Sequence, residues 1–304
     1  MKTRKYSLYW TMATVMMMTV WIACNKEHEP DVAVITMTAK AKYVRFFMTG
    51  SGAVTIDWGD ATAKEKYTLS DNFYTGPSYA HIYSETSAHT IKITGDNCSG
   101  FICDDNQITS LDVTHNTELE YLSCQRNQIT ILDVSNNSKL NKLYCDRNKI
   151  SILDVTTNTH LIELCCSWNQ LTTLDIRNNI ELKVLNCNNN KLDDLDASNN
   201  TLLRTFVCSY NQVTYLDVSN ATELLDFYCN NNQLTTIDTG INPLLRSFKC
   251  EYNLLSASAL NDLFEKLPIK VYGIKSINIT GNPGAGDCNV SIAEDKGWFV
   301  YIFD

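Results

Sequence analysis

Residues 119–134 read Leu-Glu-Tyr-Leu-Ser-Cys-Gln-Arg-Asn-Gln-Ile-Thr-Ile-Leu-Asp-Val, and residues 140–155 return the same frame as Leu-Asn-Lys-Leu-Tyr-Cys-Asp-Arg-Asn-Lys-Ile-Ser-Ile-Leu-Asp-Val. The interval is 21 residues, and cysteine marks it eight times, at Cys103, Cys124, Cys145, Cys166, Cys187, Cys208, Cys229 and Cys250. Asparagine follows each of them by three residues, from Asn106 to Asn253. A fixed period of this length is the mark of a solenoid that adds one coil per repeat. Such an array offers a long surface for holding another molecule and few ways to enclose a catalytic pocket.

The columns of the repeat carry its physics. Leucine opens seven coils, with Cys98 in its place in the first. Three residues later stand Phe101, Leu122, Leu143, Leu164, Leu185, Phe206, Phe227 and Phe248. The alternation of this column with the cysteine has period two, which puts both side chains on one face of a short strand. Stacked strands of this kind form a parallel sheet over a continuous apolar core.

The frame L-x-x-L-x-C-x-x-N-x-L resembles the leucine-rich repeat, with cysteine in the third leucine column, over residues 98–255. That resemblance implies that the asparagines form a ladder bonding backbone groups where the chain leaves the strand. A buried turn needs such partners for its peptide groups. A 21-residue coil has no room for a full outer helix, so the outer edge at Leu111-Asp112-Val113 and its equivalents is expected to be extended or turn-rich, with gentle curvature. At the spacing of paired strands, eight coils span on the order of 35–40 Å. The aspartate column reads as turn capping by a short acceptor; a calcium ladder is the alternative.

Two ends frame the array. Lys2, Arg4 and Lys5 precede an apolar stretch from Leu8 to Ala23, which suits a signal peptide rather than a spanning helix. Ile22-Ala23-Cys24 resembles a bacterial lipobox, which implies lipidation of Cys24; an ordinary signal peptide cut elsewhere, or a membrane anchor, is the alternative. Residues 1–24 are thus expected to be a leader and 25–34 a flexible tether to the outer membrane. Residues 35–97 hold short β-rich runs, and Ile56-Asp57-Trp58-Gly59-Asp60 with His81-Ile82-Tyr83 is similar to a PKD-type β-sandwich. In that family Asp57, Asp60 and His81 would belong to turns and strand packing. This module is expected to cap the first coil.

Residues 256–304 are expected to form a second cap, because Ser258 stands where leucine should and the array stops. Leu260, Leu263, Phe264 and Leu267 follow helical spacing behind Ser258 as N-cap, and Pro268 ends the run. Residues 276–280 and 298–303 read as strands joined by the Gly281-Asn282-Pro283-Gly284 turn.

Composition excludes several functions. The formal charge is −9, and loss of Lys2, Arg4 and Lys5 with the leader takes it to −12. An acidic chain without a basic cluster is a poor nucleic-acid binder. No catalytic, phosphate-cradling or zinc motif occurs, so neither enzyme activity nor a cofactor is expected. The cysteine column suits free buried thiols, since parallel in-register side chains fit neither a disulfide nor a tetrahedral metal site. Cys165 is the exception, expected outward on the sheet, and Cys288 lies in the terminal cap.

The binding surface is expected on the concave strand face, where side chains vary. Its candidates are Tyr121, Arg126, Tyr144, Arg147, Trp168, Tyr210, Tyr228, Lys249 and Tyr252, of the residue types enriched at hot spots. The reading is a lipid-anchored, cell-surface binding protein whose partner is a protein. A glycan-binding accessory and an architectural envelope component are the alternatives.

Overall fold

The computed structural model describes residues 33–73, 76–95, 97–269 and 273–303. The predicted leader, Cys24 and nearly all of the tether lie outside them. The fold is a β-dominated leucine-rich-repeat solenoid with the 21-residue period read from the sequence.

Eight strands open the chain: β1 (Ala33–Ala39), β2 (Tyr43–Gly50), β3 (Ala53–Asp57), β4 (Glu65–Thr68), β5 (Ser78–Ile82), β6 (His89–Gly95), β7 (Cys98–Ile102) and β8 (Ile108–Asp112). Each later coil contributes a three-residue inner strand, from Tyr121–Ser123 to Ser247–Lys249, paired in parallel and in register with its neighbours. These strands form one 12-stranded sheet that runs from β5 and β2 through β7 to the C-terminal strands. On the opposite side β8 pairs with β1 in a five-stranded sheet.

Both strands of the first coil are therefore paired to the N-terminal strands, β7 with β2 and β8 with β1, all antiparallel. Asn106 strengthens the junction. Its Oδ1 accepts the Arg45 N–H at 2.9 Å, and its Nδ2 donates to the Arg45 carbonyl at 2.7 Å. The two sheets share one apolar core with the array, in which Phe46 packs against Phe101 at 5.5 Å.

Inside the coils the leucine, phenylalanine and cysteine columns are fully buried. Phe206, Phe227 and Phe248 stack with centroids 5.4 and 5.0 Å apart. The described cysteines are free, and burial pushes the column thiols far above their ordinary range. They act as small apolar side chains.

The asparagine ladder satisfies the turn after each strand. Asn148 Oδ1 accepts the Ile129 N–H at 3.0 Å, while its Nδ2 donates to the carbonyls of Cys124 (2.9 Å) and Cys145 (3.0 Å). One side chain thus ties two coils together. A second ladder runs along the outer edge through Asn116, Asn137, Asn158, Asn179, Asn200 and Asn242, with Ala221 interrupting it. Asn158 Nδ2, for example, donates to the carbonyls of Val134 and Asn137, each at 2.9 Å. The aspartate column caps turns as expected: Asp154 Oδ1 accepts the Thr156 N–H at 2.9 Å and its hydroxyl at 2.6 Å.

The C-terminal segment departs from the sequence reading in three ways. Helix α1 (Ala257–Lys266) is capped by Ser256, not Ser258; the Ser256 hydroxyl accepts the Ala259 N–H at 3.2 Å. The array does not stop at residue 255. Strand Lys275–Asn278 adds in parallel to Ser247–Lys249, with Ile277 beside Phe248. Ile279 then takes the cysteine column and Asn282 the asparagine column, accepting from the Leu255 N–H at 3.1 Å and donating to Cys250 O at 3.0 Å. Helix α1 is inserted into this ninth coil. Finally, the last strand, Trp298–Tyr301, pairs in parallel with Lys275–Asn278, so a tight hairpin turn cannot join them; helix α2 (Ser291–Glu294) lies in the crossover.

Candidate functional site

The long sheet has one buried and one open face. Along the open face two side chains per coil stand in rows. One row runs Tyr121, Lys142, Glu163, Val184, Thr205, Asp226 and Ser247; the other runs Ser123, Tyr144, Cys165, Asn186, Val207, Tyr228 and Lys249. Of the expected binding residues, Tyr121, Tyr144, Tyr228 and Lys249 are on this face.

The other five are not. Arg126, Arg147, Trp168, Tyr210 and Tyr252 sit two residues beyond the cysteine with φ between 54° and 56°, in the left-handed region. The strand has ended by then, and the chain turns away under the asparagine ladder. Their N–H groups still bond to the next coil, as Trp168 does to Asn188 O at 2.9 Å. The five side chains therefore form a rim beside the face rather than part of it. Trp168, Tyr210 and Tyr252 remain 50%, 53% and 56% exposed.

Mid-array coils carry one contact pair on the rim and a cluster on the face. The Arg147 guanidinium lies 5.1 Å from the Trp168 ring centroid. Lys142 Nζ is 2.8 Å from Glu163, and the Tyr144 hydroxyl donates to the same carboxylate. Tyr121 packs on Tyr144 at 5.5 Å and on Phe73 at 5.2 Å. Burial opposes ionisation of Glu163, but hydrogen bonds from Lys142 and Tyr144 outweigh it and lower its pKa. Burial, with the carboxylate beside it, raises that of Tyr144. Glu163 was missed in the sequence, although its in-register place beside Lys142 was available from the spacing. Tyr228 and Lys249 form a second cluster, with the ammonium 4.7 Å from the ring centroid. Arg126 makes only a long, exposed contact with Asp105, 3.7 Å away. Tyr210 stands apart on the rim, as does Tyr252, whose ring covers Gly281.

Cys165 is partly open on the face, but burial and the carboxylates of Asp146 and Glu163 push its thiol up to about 12, so little thiolate forms. Among the described residues no group of three or more His, Cys, Asp or Glu could hold a metal ion. His81 and Asp60 meet at 2.7 Å, and Asp57 accepts the Gly59 N–H at 3.0 Å within its turn.

Asp146, one residue after its cysteine, is nearly buried. Its carboxylate accepts from the Ser167 N–H at 2.9 Å and from the Ser167 hydroxyl, yet burial raises its pKa above the ordinary 3.8. A carboxyl whose folded pKa is raised lowers stability above that pKa and ceases to do so below its unfolded value. Asn230 holds the same column and accepts the Ser209 hydroxyl through its amide oxygen at 2.5 Å. Asp146→Asn is therefore expected to melt higher than the parent at pH 7, with the gain shrinking as pH falls toward 3.8. Thermal melts across that range check it, and an unchanged gain at low pH would contradict the charge argument.

Comparison with protein-family models and with curated proteins finds no match. Among solved structures, the chain is similar to a leucine-rich-repeat protein of Leptospira interrogans, with 20% identity and a TM-score of 0.53 over 63% of this chain and 50% of that one. It is similar to the leucine-rich-repeat domain of APL1B, with 18% identity and a TM-score of 0.54 over 65% and 59%. The functional domain of InlJ from Listeria monocytogenes, which includes a cysteine ladder, shares 29% identity over 69% and 50%, with a TM-score of 0.49. The chain thus spans between half and three fifths of the length of these structures. The first two likenesses show the leucine-rich-repeat fold.

Proposed function

We propose that the chain is a non-enzymatic binding protein that holds a protein partner along the open sheet face and its rim, centred on Arg147, Trp168 and Tyr144. One observation carries this. A left-handed conformation costs an ordinary residue on the order of 1–2 kcal/mol, and asparagine or glycine adopts it most readily. Asn189, Asn231 and Gly281 occupy the rim column at that cost-free end, yet five coils place arginine, tryptophan or tyrosine there. Large side chains held in a disfavoured backbone, and left half-exposed, serve something other than stability. Tryptophan, tyrosine and arginine are also the types that dominate interface energetics. The acidic chain, with Arg147 stacked on Trp168 and Lys142 paired with Glu163 on this surface, disfavours nucleic acid. Glycan binding is the second reading, favoured by the Tyr228–Lys249 cluster.

Trp168→Asn separates the two roles. Partner affinity is expected to fall by about 2 kcal/mol or more. The variant should melt no lower than the parent, since asparagine fits the backbone. Quantitative binding of a captured partner to parent, Trp168→Asn and the outer-edge control Lys139→Ala decides it. Equal affinity across the three would remove the rim from the site.

The same reading places the protein outside the cell, held by a lipid on Cys24. The basic residues before Leu8 and the Ala23-Cys24 junction support this. Among the described residues no helix is long and apolar enough to cross a membrane. Cys24→Ser is expected to abolish fatty-acid labelling and release the chain from the membrane fraction; labelling that persists would exclude Cys24 as the acceptor.

A further inference from the structure

The C-terminal end of the open face holds a cleft of about 190 Å³, lined by Ser247, Phe248, Lys249, Ser276, Asn278, Tyr301 and Phe303. Ser247 and Lys249 belong to the open face described above and the other lining residues lie beyond it; the inference rests on the second, glycan-binding reading and does not depend on the protein-binding one. Three in-register strands build it: Lys249, Asn278 and Tyr301 stand side by side across the sheet, with Ser247 and Ser276 in the adjacent row. One wall is aromatic. The Tyr301 and Phe303 rings lie nearly parallel, 14° apart in plane with centroids 5.8 Å apart, and both are exposed.

That wall is fixed to the floor by hydrogen bonds. The Phe303 N–H donates to Thr280 Oγ1 at 3.0 Å, and that hydroxyl donates to Asn278 Oδ1 at 2.7 Å. Asn278 Oδ1 also accepts the Thr280 N–H at 3.1 Å. Two donors on the carbonyl oxygen settle which way the amide faces, so its NH2 group is the one presented to the cleft. Ser247 donates to the Tyr228 hydroxyl at 3.2 Å, which leaves the phenolic proton to be donated elsewhere. Lys249 lies over the Tyr228 ring and makes no direct ion pair among the described residues, its charge being felt by the half-buried Glu251 carboxyl, whereas neighbouring Arg246 is tied to Asp226 at 3.0 Å.

The cleft therefore offers a flat apolar wall, an amide NH2, the Ser276 hydroxyl and one ammonium, while the Ser247 proton is already given to Tyr228. It is rich in donors, so its ligand is rich in acceptors. Its volume is below the roughly 300–1,000 Å³ of pockets for larger small molecules, so it takes a single ring unit. A ring with an apolar face, several hydroxyl oxygens at its edge and one negative charge matches all of these features. We propose that the cleft binds a pyranose bearing a carboxylate, as one unit of an acidic glycan.

Titration of the full chain with D-glucuronate, methyl β-D-glucoside and phenylacetate, followed by NMR shifts or calorimetry, tests the class. Glucuronate is expected to bind saturably and more tightly than the neutral glucoside. Phenylacetate, which has the flat face and the charge but no ring hydroxyls, should bind more weakly. Tyr301→Ala should weaken glucuronate binding by about tenfold or more, while Tyr301→Phe retains it. Lys249→Gln should level glucuronate with the glucoside without abolishing either, and Trp168→Asn should change nothing. Absence of saturable glucuronate binding would overturn the proposal. So would tighter binding of phenylacetate, or a Tyr301→Ala variant that melts like the parent and binds with undiminished affinity.

Discussion

Phe227→Ala is expected to destabilise the protein by about 3–5 kcal/mol. The ring is fully buried and stacked on both sides, against Phe206 and Phe248. Neighbouring coils are held at the strand spacing by hydrogen bonds, so they cannot collapse into the vacated space. Phe227→Leu should cost much less, on the order of 1 kcal/mol, because leucine fills the same column in four other coils. Chemical denaturation of both variants checks the argument. A Phe227→Ala chain that unfolds at the parent's midpoint would mean that the column is not closely packed.

Asn148→Ala is expected to cost about 2–4 kcal/mol, although asparagine contributes almost no apolar area. The substitution strands the buried Ile129 N–H and takes from the Cys124 carbonyl one of its two donors, leaving Asn127 Nδ2 at 3.0 Å; both groups belong to the coil before. Asn148→Asp should be comparably harmful, since it keeps the acceptor, loses the donors and buries a charge. Asn136→Ala is the control. Asn136 is exposed and gives one bond to Thr114 O at 3.1 Å, so its loss should cost little. Hydrogen exchange should show the Asn148→Ala damage on both sides of residue 148, with amides near residue 129 losing protection alongside those of its own coil.

The period made most of this fold legible. Strand register, core columns and the inner asparagine ladder all follow from one 21-residue spacing, because each coil meets only its neighbours and local pattern becomes global structure. Legibility failed wherever that condition failed. Pairing of β1 with β8 and of β2 with β7 joins segments far apart in sequence, and no repeat announces it. The ninth coil was hidden because Ile279 replaces the cysteine and helix α1 stretches the interval from 21 to 29 residues, from Cys250 to Ile279. Of the nine candidate binding residues, the spacing placed Tyr121, Tyr144, Tyr228 and Lys249 correctly on the open face and misplaced the other five. Arginine, tryptophan and tyrosine are poor indicators of a left-handed turn. The readable signal was the rest of the column, where Asp105, Asn189, Asn231 and Gly281 share that backbone. Glu163 carries no hot-spot signature of its own, and its part in the site comes from tying Lys142 to Tyr144 across adjacent strands.

The gap in the outer ladder at Ala221 bears on how the molecule would yield under load. From Asn137 to Asn200 each asparagine of that edge clamps the coil before it by two bonds, as Asn200 does to Ile176 O and Asn179 O. Ala221 makes no such bonds, and Asn242 beyond it reaches only Val218 O at 3.4 Å. The coils of Ala221 and Asn242 are joined there instead by the paired strands Tyr215–Asp217 and Thr236–Asp238, so a chain pulled from its two ends should part first between the coils of Asn200 and Ala221. The extension trace would then show two blocks of unequal length releasing in turn, and Ala221→Asn should merge them into one.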